Sequence, residues 1–188
     1  MRCKFVPFLI SSVLIFWVSG SWAATPYQPN IAALVMCKQR VSDFARIFPY
    51  SQDPLKSLSL GWRPLKRINP FMTEYILPQT ITVFGYSTRH IAFSGGSIIA
   101  ILDMPNPHPL AKKLQLTSAL DTPQKVLYGR EILSRDTKDP QTGKPVIESI
   151  VLNLSTVHSH PGKTLVGCNY SFDDPESEKD DAKPSVQH

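Results

Sequence analysis

Cysteine is scarce in this chain, and the motifs of several common enzyme classes are missing. Of the 188 residues, 3 are cysteine, and they form neither a CxxC redox pair nor the four-ligand spacing of a structural zinc site. No G-x-S-x-G motif marks a serine nucleophile. These absences disfavour thiol redox chemistry, structural zinc and serine hydrolysis.

Paired carboxylates occur only near the C-terminus. Glu74, Glu131 and Glu148 are isolated, and we expect each of them on a solvated strand face because acidic side chains are mostly exposed. Catalytic carboxylates depend on burial or close neighbours to tune their protonation. Enzyme activity is therefore the less favoured hypothesis, and we expect no cofactor.

The N-terminal apolar run, Phe5 to Val18, is short against the about 20 residues that a membrane-spanning helix needs. It follows Arg2 and Lys4 and precedes small residues that end at Ala23, which is the pattern of a secretory signal peptide. We predict a signal peptide over residues 1–23, cleaved near Ala23, and no stable membrane insertion afterwards. The expected location is the periplasm, or the medium if the chain is secreted, and nucleic acid is disfavoured as a partner.

Cys37 and Cys168 are the two cysteines that remain after the signal peptide. In an oxidising compartment such a pair favours one disulfide bond, which would tie the first helix to the last strand. Closing a loop of this length stabilises a fold by roughly 4 to 5 kcal/mol in the chain-entropy model. Two free reactive thiols are the alternative.

Charge divides the rest of the chain into a basic body and an acidic tail. Residues 24–172 carry 16 Lys and Arg against 9 Asp and Glu, whereas residues 173–188 carry 6 acids against 2 lysines. We predict a single domain over 24–172 and a disordered tail over 173–188. The densest basic group, Arg63, Lys66 and Arg67, is the candidate binding surface for an acidic protein or membrane surface. Solubilising charge is the alternative interpretation.

Periodicity predicts one long helix near the start of the domain. Apolar residues recur every three or four positions from Leu34 to Phe48, Asn30 is a suitable N-cap, and Pro49 is expected to end the helix. A short second helix is predicted over 106–116. Segments rich in β-branched and aromatic residues predict strands at 80–86, 90–94, 97–103, 125–136, 145–157 and 164–172. The predicted fold class is α+β: an antiparallel sheet of about five or six strands with the long helix packed on one face.

The segment VHSHPGK contains His158 and His160, two residues apart. On extended backbone both imidazoles would point to one side and could bind one Zn(II) or Cu(II) ion. A third ligand would have to come from His90, His108 or an acid. The favoured alternative is a turn between two strands, because proline and glycine follow directly.

Binding is the function that remains. The first hypothesis is a small exported, non-enzymatic protein that binds another protein of the cell envelope, such as an inhibitor or immunity protein against an envelope-acting effector. The second is an envelope hydrolase or metal-dependent enzyme that uses His158 and His160. The third is an accessory component of a secretion or surface apparatus.

Overall fold

The computed structural model describes residues 28–175. The predicted signal peptide lies outside these residues, as does most of the predicted tail. Residues 28–175 contain four helices: α1 (Ile31–Val35), α2 (Val41–Gln52), α3 (Pro54–Ser59) and α4 (His108–Lys113). The strands are β1 (Arg63–Pro64), β2 (Thr73–Val83), β3 (Tyr86–Ser94), β4 (Ser97–Leu102), β5 (Thr117–Asp121), β6 (Val126–Lys138), β7 (Pro145–Ser155) and β8 (Thr164–Asp173). Within the described residues, no helix is long and apolar enough to cross a bilayer.

All of these strands join one antiparallel sheet in the order β1-β2-β3-β4-β8-β7-β6-β5. The predicted antiparallel sheet is therefore present, but it has eight strands in place of five or six. The two strands that the sequence did not predict, β1 and β5, are short, exposed edge strands with no alternating apolar pattern. The fold is mostly sheet, and the predicted α+β architecture with a long packed helix is only partly correct.

The prediction of one long helix was wrong, because the chain leaves the helical path at Cys37. That residue has a positive φ of 58° and follows the C-cap of α1. The Lys38 amide donates to the carbonyl of Ala33, and the Cys37 amide donates to that of Leu34. These two bonds form the Schellman arrangement that ends a helix. The apolar periodicity continues across this break because both helices pack on the same core.

Pro49 does not end α2, which continues to Gln52. Proline fits the φ of a helix and removes one backbone hydrogen bond. Other contacts hold the last turn: the Ser51 hydroxyl donates to the carbonyl of Phe48, and the Tyr75 hydroxyl donates to that of Ser51. One local and one tertiary hydrogen bond therefore hold the turn that follows the proline.

The helices cover one face of the sheet, called here the main face. Its core includes Leu34 of α1, Phe44 of α2 and Leu110 of α4. The opposite face, called here the second face, carries a smaller apolar cluster around Met72, Ala92, Ile101 and Leu165. Val157, from the loop between β7 and β8, packs against that smaller cluster. This loop, residues 156–163, therefore lies over the second face.

Cys37 and Cys168 form a disulfide, as the sequence predicts, with their Cα atoms 5.4 Å apart. The bond lies in the core of the main face. It connects the end of α1 to β8, a central strand. Nearby, the Tyr170 hydroxyl donates to the carbonyl of Leu34, and burial raises the pKa of this tyrosine. A disulfide fits the expectation of an exported protein.

Candidate metal centre

Two buried glutamates contradict the expectation that the isolated acids are solvated. Glu74 is 3% exposed and Glu148 is 4% exposed, whereas Glu131 is exposed as expected. Buried carboxylates need charged or hydrogen-bonding partners. Glu148 has two arginines as partners, and Glu74 has two histidines. The partners of Glu74 make it a candidate functional residue.

Glu74 and His90 meet because of the register between β2 and β3. Glu74 lies opposite Ala92, and Ile76 lies opposite His90. Side chains two residues apart on a strand share a face, so Glu74 and His90 are diagonal neighbours on the second face. His160 comes from the loop over that face, where it precedes Pro161. Residues separated by 86 positions thus meet at one point.

One carboxylate oxygen binds both imidazoles. Oε2 of Glu74 lies 2.8 Å from Nε2 of His90 and 3.0 Å from Nε2 of His160. The three ligand atoms lie within 4.8 Å of one another. The side chains of Glu74 and His160 are 3% and 4% exposed, whereas that of His90 is 25% exposed. Solvent therefore reaches this group, called here the Glu74–His90–His160 group, beside His90.

The second carboxylate oxygen of Glu74 has no partner among the described residues. Oε1 is buried and accepts no hydrogen bond from any residue that the structure describes. Leaving a buried polar atom without a hydrogen bond costs roughly 1–3 kcal/mol, and the cost is higher for an atom of a charged group such as a carboxylate. A cation bound at this point would satisfy it. In a purely structural network both carboxylate oxygens would have partners. The unpaired Oε1 distinguishes this group from such a network.

A hydrogen-bonded chain orients His160. Its Nδ1 lies 2.9 Å from the Ser159 hydroxyl, which accepts a hydrogen bond of 3.1 Å from the Asn69 amide. The serine proton can rotate, so the hydroxyl either donates to Nδ1 or accepts from it. With a metal ion on Nε2, the proton of a neutral imidazole resides on Nδ1 and donates to Ser159. Such outer partners fix the tautomer and orientation of metal-binding histidines.

Two imidazole nitrogens and one carboxylate oxygen form a donor set for Zn(II), Cu(II) or Fe(II). Metal–ligand bonds of about 2.0–2.2 Å place tetrahedral ligands roughly 3.3 Å apart. The observed Glu–His separations are a few tenths of an ångström shorter than this, and all three ligand atoms lie within 4.8 Å of one another, so the side chains would have to move to surround an ion. Three protein ligands leave a fourth position for water or another small molecule.

Only one of the two histidines predicted as metal ligands belongs to this group. His160 is buried within it, whereas His158 is exposed in the turn that begins there. The extended segment assumed for the pair is a turn, in which one histidine is exposed and the other is buried. His90, one of the suggested third ligands, lies in the group. Metal binding itself stays a prediction.

His108, the other suggested third ligand, lies at a different place. Its Nδ1 is 2.9 Å from the Tyr128 hydroxyl, which donates to Asp121 over 2.6 Å. The hydrogen bond to Asp121 raises the pKa of Tyr128. Because the Tyr128 hydroxyl donates its one proton to Asp121, it can only accept a hydrogen bond from His108. The His108 ring therefore donates from Nδ1. About half of the His108 side chain is exposed, so this second cluster is far more solvated than the first.

The predicted binding residues Arg63, Lys66 and Arg67 are all exposed. They lie on β1 and on the loop from β1 to β2, at one edge of the sheet. Arg67 donates to the Thr73 hydroxyl. These basic residues are not ligands of the Glu74–His90–His160 group.

Glu74 is the functional residue that the sequence did not predict. A signal for it was present, because alternation along β2 places Glu74 on one face with the apolar Met72 and Ile76. A lone charge on an apolar face needs a partner. The identity of that partner depended on strand register, which local patterns do not provide.

Similarity adds no functional assignment. No protein-family model matches the chain, and no curated protein matches it.

Proposed function

We propose that this is an exported metal-binding protein whose centre is the Glu74–His90–His160 group. The ions that suit its nitrogen and oxygen ligands best are Zn(II) and Cu(II). Export to the periplasm after cleavage near Ala23 is part of this proposal, and the disulfide supports it. A protein partner in the cell envelope stays a prediction from the sequence.

The observation that carries the proposal is the environment of Glu74. Its Oε2 already receives two imidazoles, while its Oε1 is buried without a partner. A group built only to hold the loop to the sheet would be expected to satisfy both oxygens. An ion held by both carboxylate oxygens of Glu74 and by the two Nε2 atoms would compensate the buried charge and the orphaned oxygen together.

Metal titration of the purified chain tests this proposal. After chelator treatment, we expect Zn(II) or Cu(II) to bind at about one ion per chain and to raise the free energy of unfolding by about 2.7 kcal/mol at 100 times Kd. Calorimetry and elemental analysis measure the stoichiometry, and thermal unfolding measures the stabilisation. Affinity should fall as the pH is lowered from about 7.5 to about 5, because imidazole binds metal only without its proton.

Three substitutions locate the site. Glu74→Gln keeps the shape and removes the charge, and His90→Ala removes the most accessible ligand; each should weaken binding about 10-fold to 100-fold or more. His158→Ala is the matched control because His158 is exposed in the adjacent turn, and it should bind like the unmodified chain. Circular dichroism confirms that each variant is folded. Less than about 0.1 ion per chain without stabilisation, or equal losses in His158→Ala and His90→Ala, would contradict the proposal.

A further inference from the structure

The loop between β1 and β2, residues 65–72, exposes two large apolar side chains. Phe71 is 81% exposed and Ile68 is 58% exposed. Neither side chain contributes to the two apolar clusters of the sheet. Two large exposed apolar side chains three residues apart on one short loop are candidates for contact with another body.

The surroundings of these side chains carry charge of one sign. From Pro54 to Thr73 the chain contains no acidic residue, whereas it contains Lys56, Arg63, Lys66 and Arg67. Glu74, the next acid, is buried on the second face. Asp53, the acid directly before this stretch, caps α3, so the four basic residues are offset by one carboxylate and the surface keeps an excess of positive charge.

The loop is already ordered in the shape that presents Phe71. The Asn69 side chain accepts from the Phe71 amide at 2.9 Å, and the Asn69 carbonyl accepts from the Met72 amide at 3.2 Å. Asn69 also donates to Ser159. Met72 is buried while its neighbour Phe71 points into solvent. A preordered loop loses little conformational entropy when it binds.

Helix α3 extends the same chemistry beside the loop. It packs against β1, and its residues Leu55 and Leu58 are 78% and 53% exposed. Three residues apart, these leucines share one face of the helix. Lys56 adds a positive charge to this helix.

We propose that this surface, the β1–β2 loop together with α3, docks on an anionic lipid bilayer. Phe71 and Ile68 enter the boundary between headgroups and acyl chains, and Arg63, Lys66 and Arg67 contact lipid phosphates. Aromatic and aliphatic side chains flanked by Lys and Arg are the composition of interfacial membrane binding. The apolar tips project from an edge of the sheet, and a bilayer accepts them without the shaped pocket that a protein partner must supply. Docking of this kind is peripheral and does not require a metal ion, so it goes beyond the proposed function.

Vesicle sedimentation of the purified full chain tests this inference. We expect binding to vesicles that contain about 30 mol % phosphatidylglycerol in phosphatidylethanolamine, and little binding to pure phosphatidylcholine. Raising the salt from about 0.1 M to about 0.5 M should release most of the bound protein, because screening shortens the range of the attraction. Chelator-treated and metal-loaded protein should bind alike.

Paired variants assign the contact. Lys66→Gln combined with Arg67→Gln should weaken binding about 25-fold, since each basic residue near the surface contributes about 1 kcal/mol, or about fivefold. Phe71→Ser should weaken it about tenfold or more. The matched controls are Lys138→Gln with Lys144→Gln, which removes the same charge from the exposed β6–β7 hairpin, and Ile132→Ser, which removes an exposed apolar side chain from β6. Both controls should bind as the unmodified chain does.

Three results would overturn the inference. The first is absence of binding to the anionic vesicles. The second is an equal loss in the hairpin control, which would show nonspecific charge attraction. The third is binding to soluble polyglutamate, but not to vesicles, that depends on Lys66 and Arg67, which would assign the surface to an acidic protein. In a supporting result, the fluorescence emission of the tryptophan in Phe71→Trp shifts to the blue when anionic vesicles are added, and does not shift with pure phosphatidylcholine vesicles.

Discussion

Glu148 holds the start of α2 against the sheet through a buried ion pair. Its Oε2 accepts from Nε and Nη2 of Arg135 at 2.8 and 2.7 Å, and Arg40 lies 3.7 Å away. Oε1 accepts a long bond of 3.4 Å from the Val41 amide at the first turn of α2. Two arginines on a carboxylate that is almost inaccessible make this contact stronger than an ordinary surface pair.

Replacing Glu148 should destabilise the fold. For Glu148→Gln we expect the free energy of unfolding to fall by about 1–3 kcal/mol, less than the full cost of breaking a buried pair because both arginines can reach water. Urea unfolding with an unchanged m-value measures the loss. Glu131→Gln on the exposed face of β6 is the control and should change stability by less than about 0.5 kcal/mol. Equal stability of the two variants would show that the ion pair contributes nothing.

Burial of single acids was the least predictable property of this sequence. Glu74, Glu131 and Glu148 look alike as isolated carboxylates in strands, yet only Glu131 is exposed. The amide of Val41 and the ring of His160 lie 107 and 86 positions from their glutamate partners. Local pattern carries no information about contacts at such separations, so the candidate site was predicted in part: His160 was selected from its own segment and His90 was named as a possible further ligand, whereas Glu74 was not identified.

Strand β8 depends on a glycine for its close contact with β4. Gly167 lies opposite Ile99, and a Cβ at Gly167 would stand 2.1 Å from the carbonyl oxygen of Ile98 and 2.7 Å from Cα of Ile99. Both obstacles are backbone atoms of a central strand, which cannot rotate away. Glycine within a strand commonly marks such an approach of another backbone.

A methyl group at this position should therefore disturb the sheet. We expect Gly167→Ala to lower the free energy of unfolding by about 3 kcal/mol, the upper part of the range for overpacking. Gly129→Ala is the matched control, because its nearest obstacle is the Asn153 side chain at 3.3 Å, which can move. Denaturant unfolding and the amide exchange of β4 report the effect. The same small loss in both variants would show that β4 gives way easily.

Strands were better predicted than helices for a physical reason. The segments that became β3, β4, β6, β7 and β8 carry long runs of β-branched and aromatic residues, and turn residues separate them. The helix break at Cys37 has no comparable signal, since a positive φ usually falls on glycine or asparagine. The disulfide bond to Cys168 fixes the position of Cys37, directly after the end of α1.

At the scale of the whole molecule, the last strand completes the sheet. β8 lies between β4 and β7, so it connects the meander β2–β4 with the strands β5–β7. Without β8, the strands β4 and β7 would each have an unpaired edge in the middle of the sheet. The disulfide attaches this strand to the end of α1, across a sequence separation of 131. The covalent link therefore joins the start of the described fold to the strand that connects the two halves of the sheet.

Removal of the disulfide should lower stability without removing metal binding. For Cys37→Ser combined with Cys168→Ser, the chain-entropy model predicts a loss of up to about 4–5 kcal/mol in the free energy of unfolding. Reductant should destabilise the unmodified chain similarly and leave the double variant unchanged, as urea unfolding would measure. Because the bond lies in the main-face core and the Glu74–His90–His160 group lies on the second face, the folded double variant should keep its metal affinity within about threefold. Complete alkylation of both thiols in denaturant without reductant would show that the bond is absent from the purified protein. A large loss of metal affinity in the folded double variant would show that the two faces are coupled through the sheet.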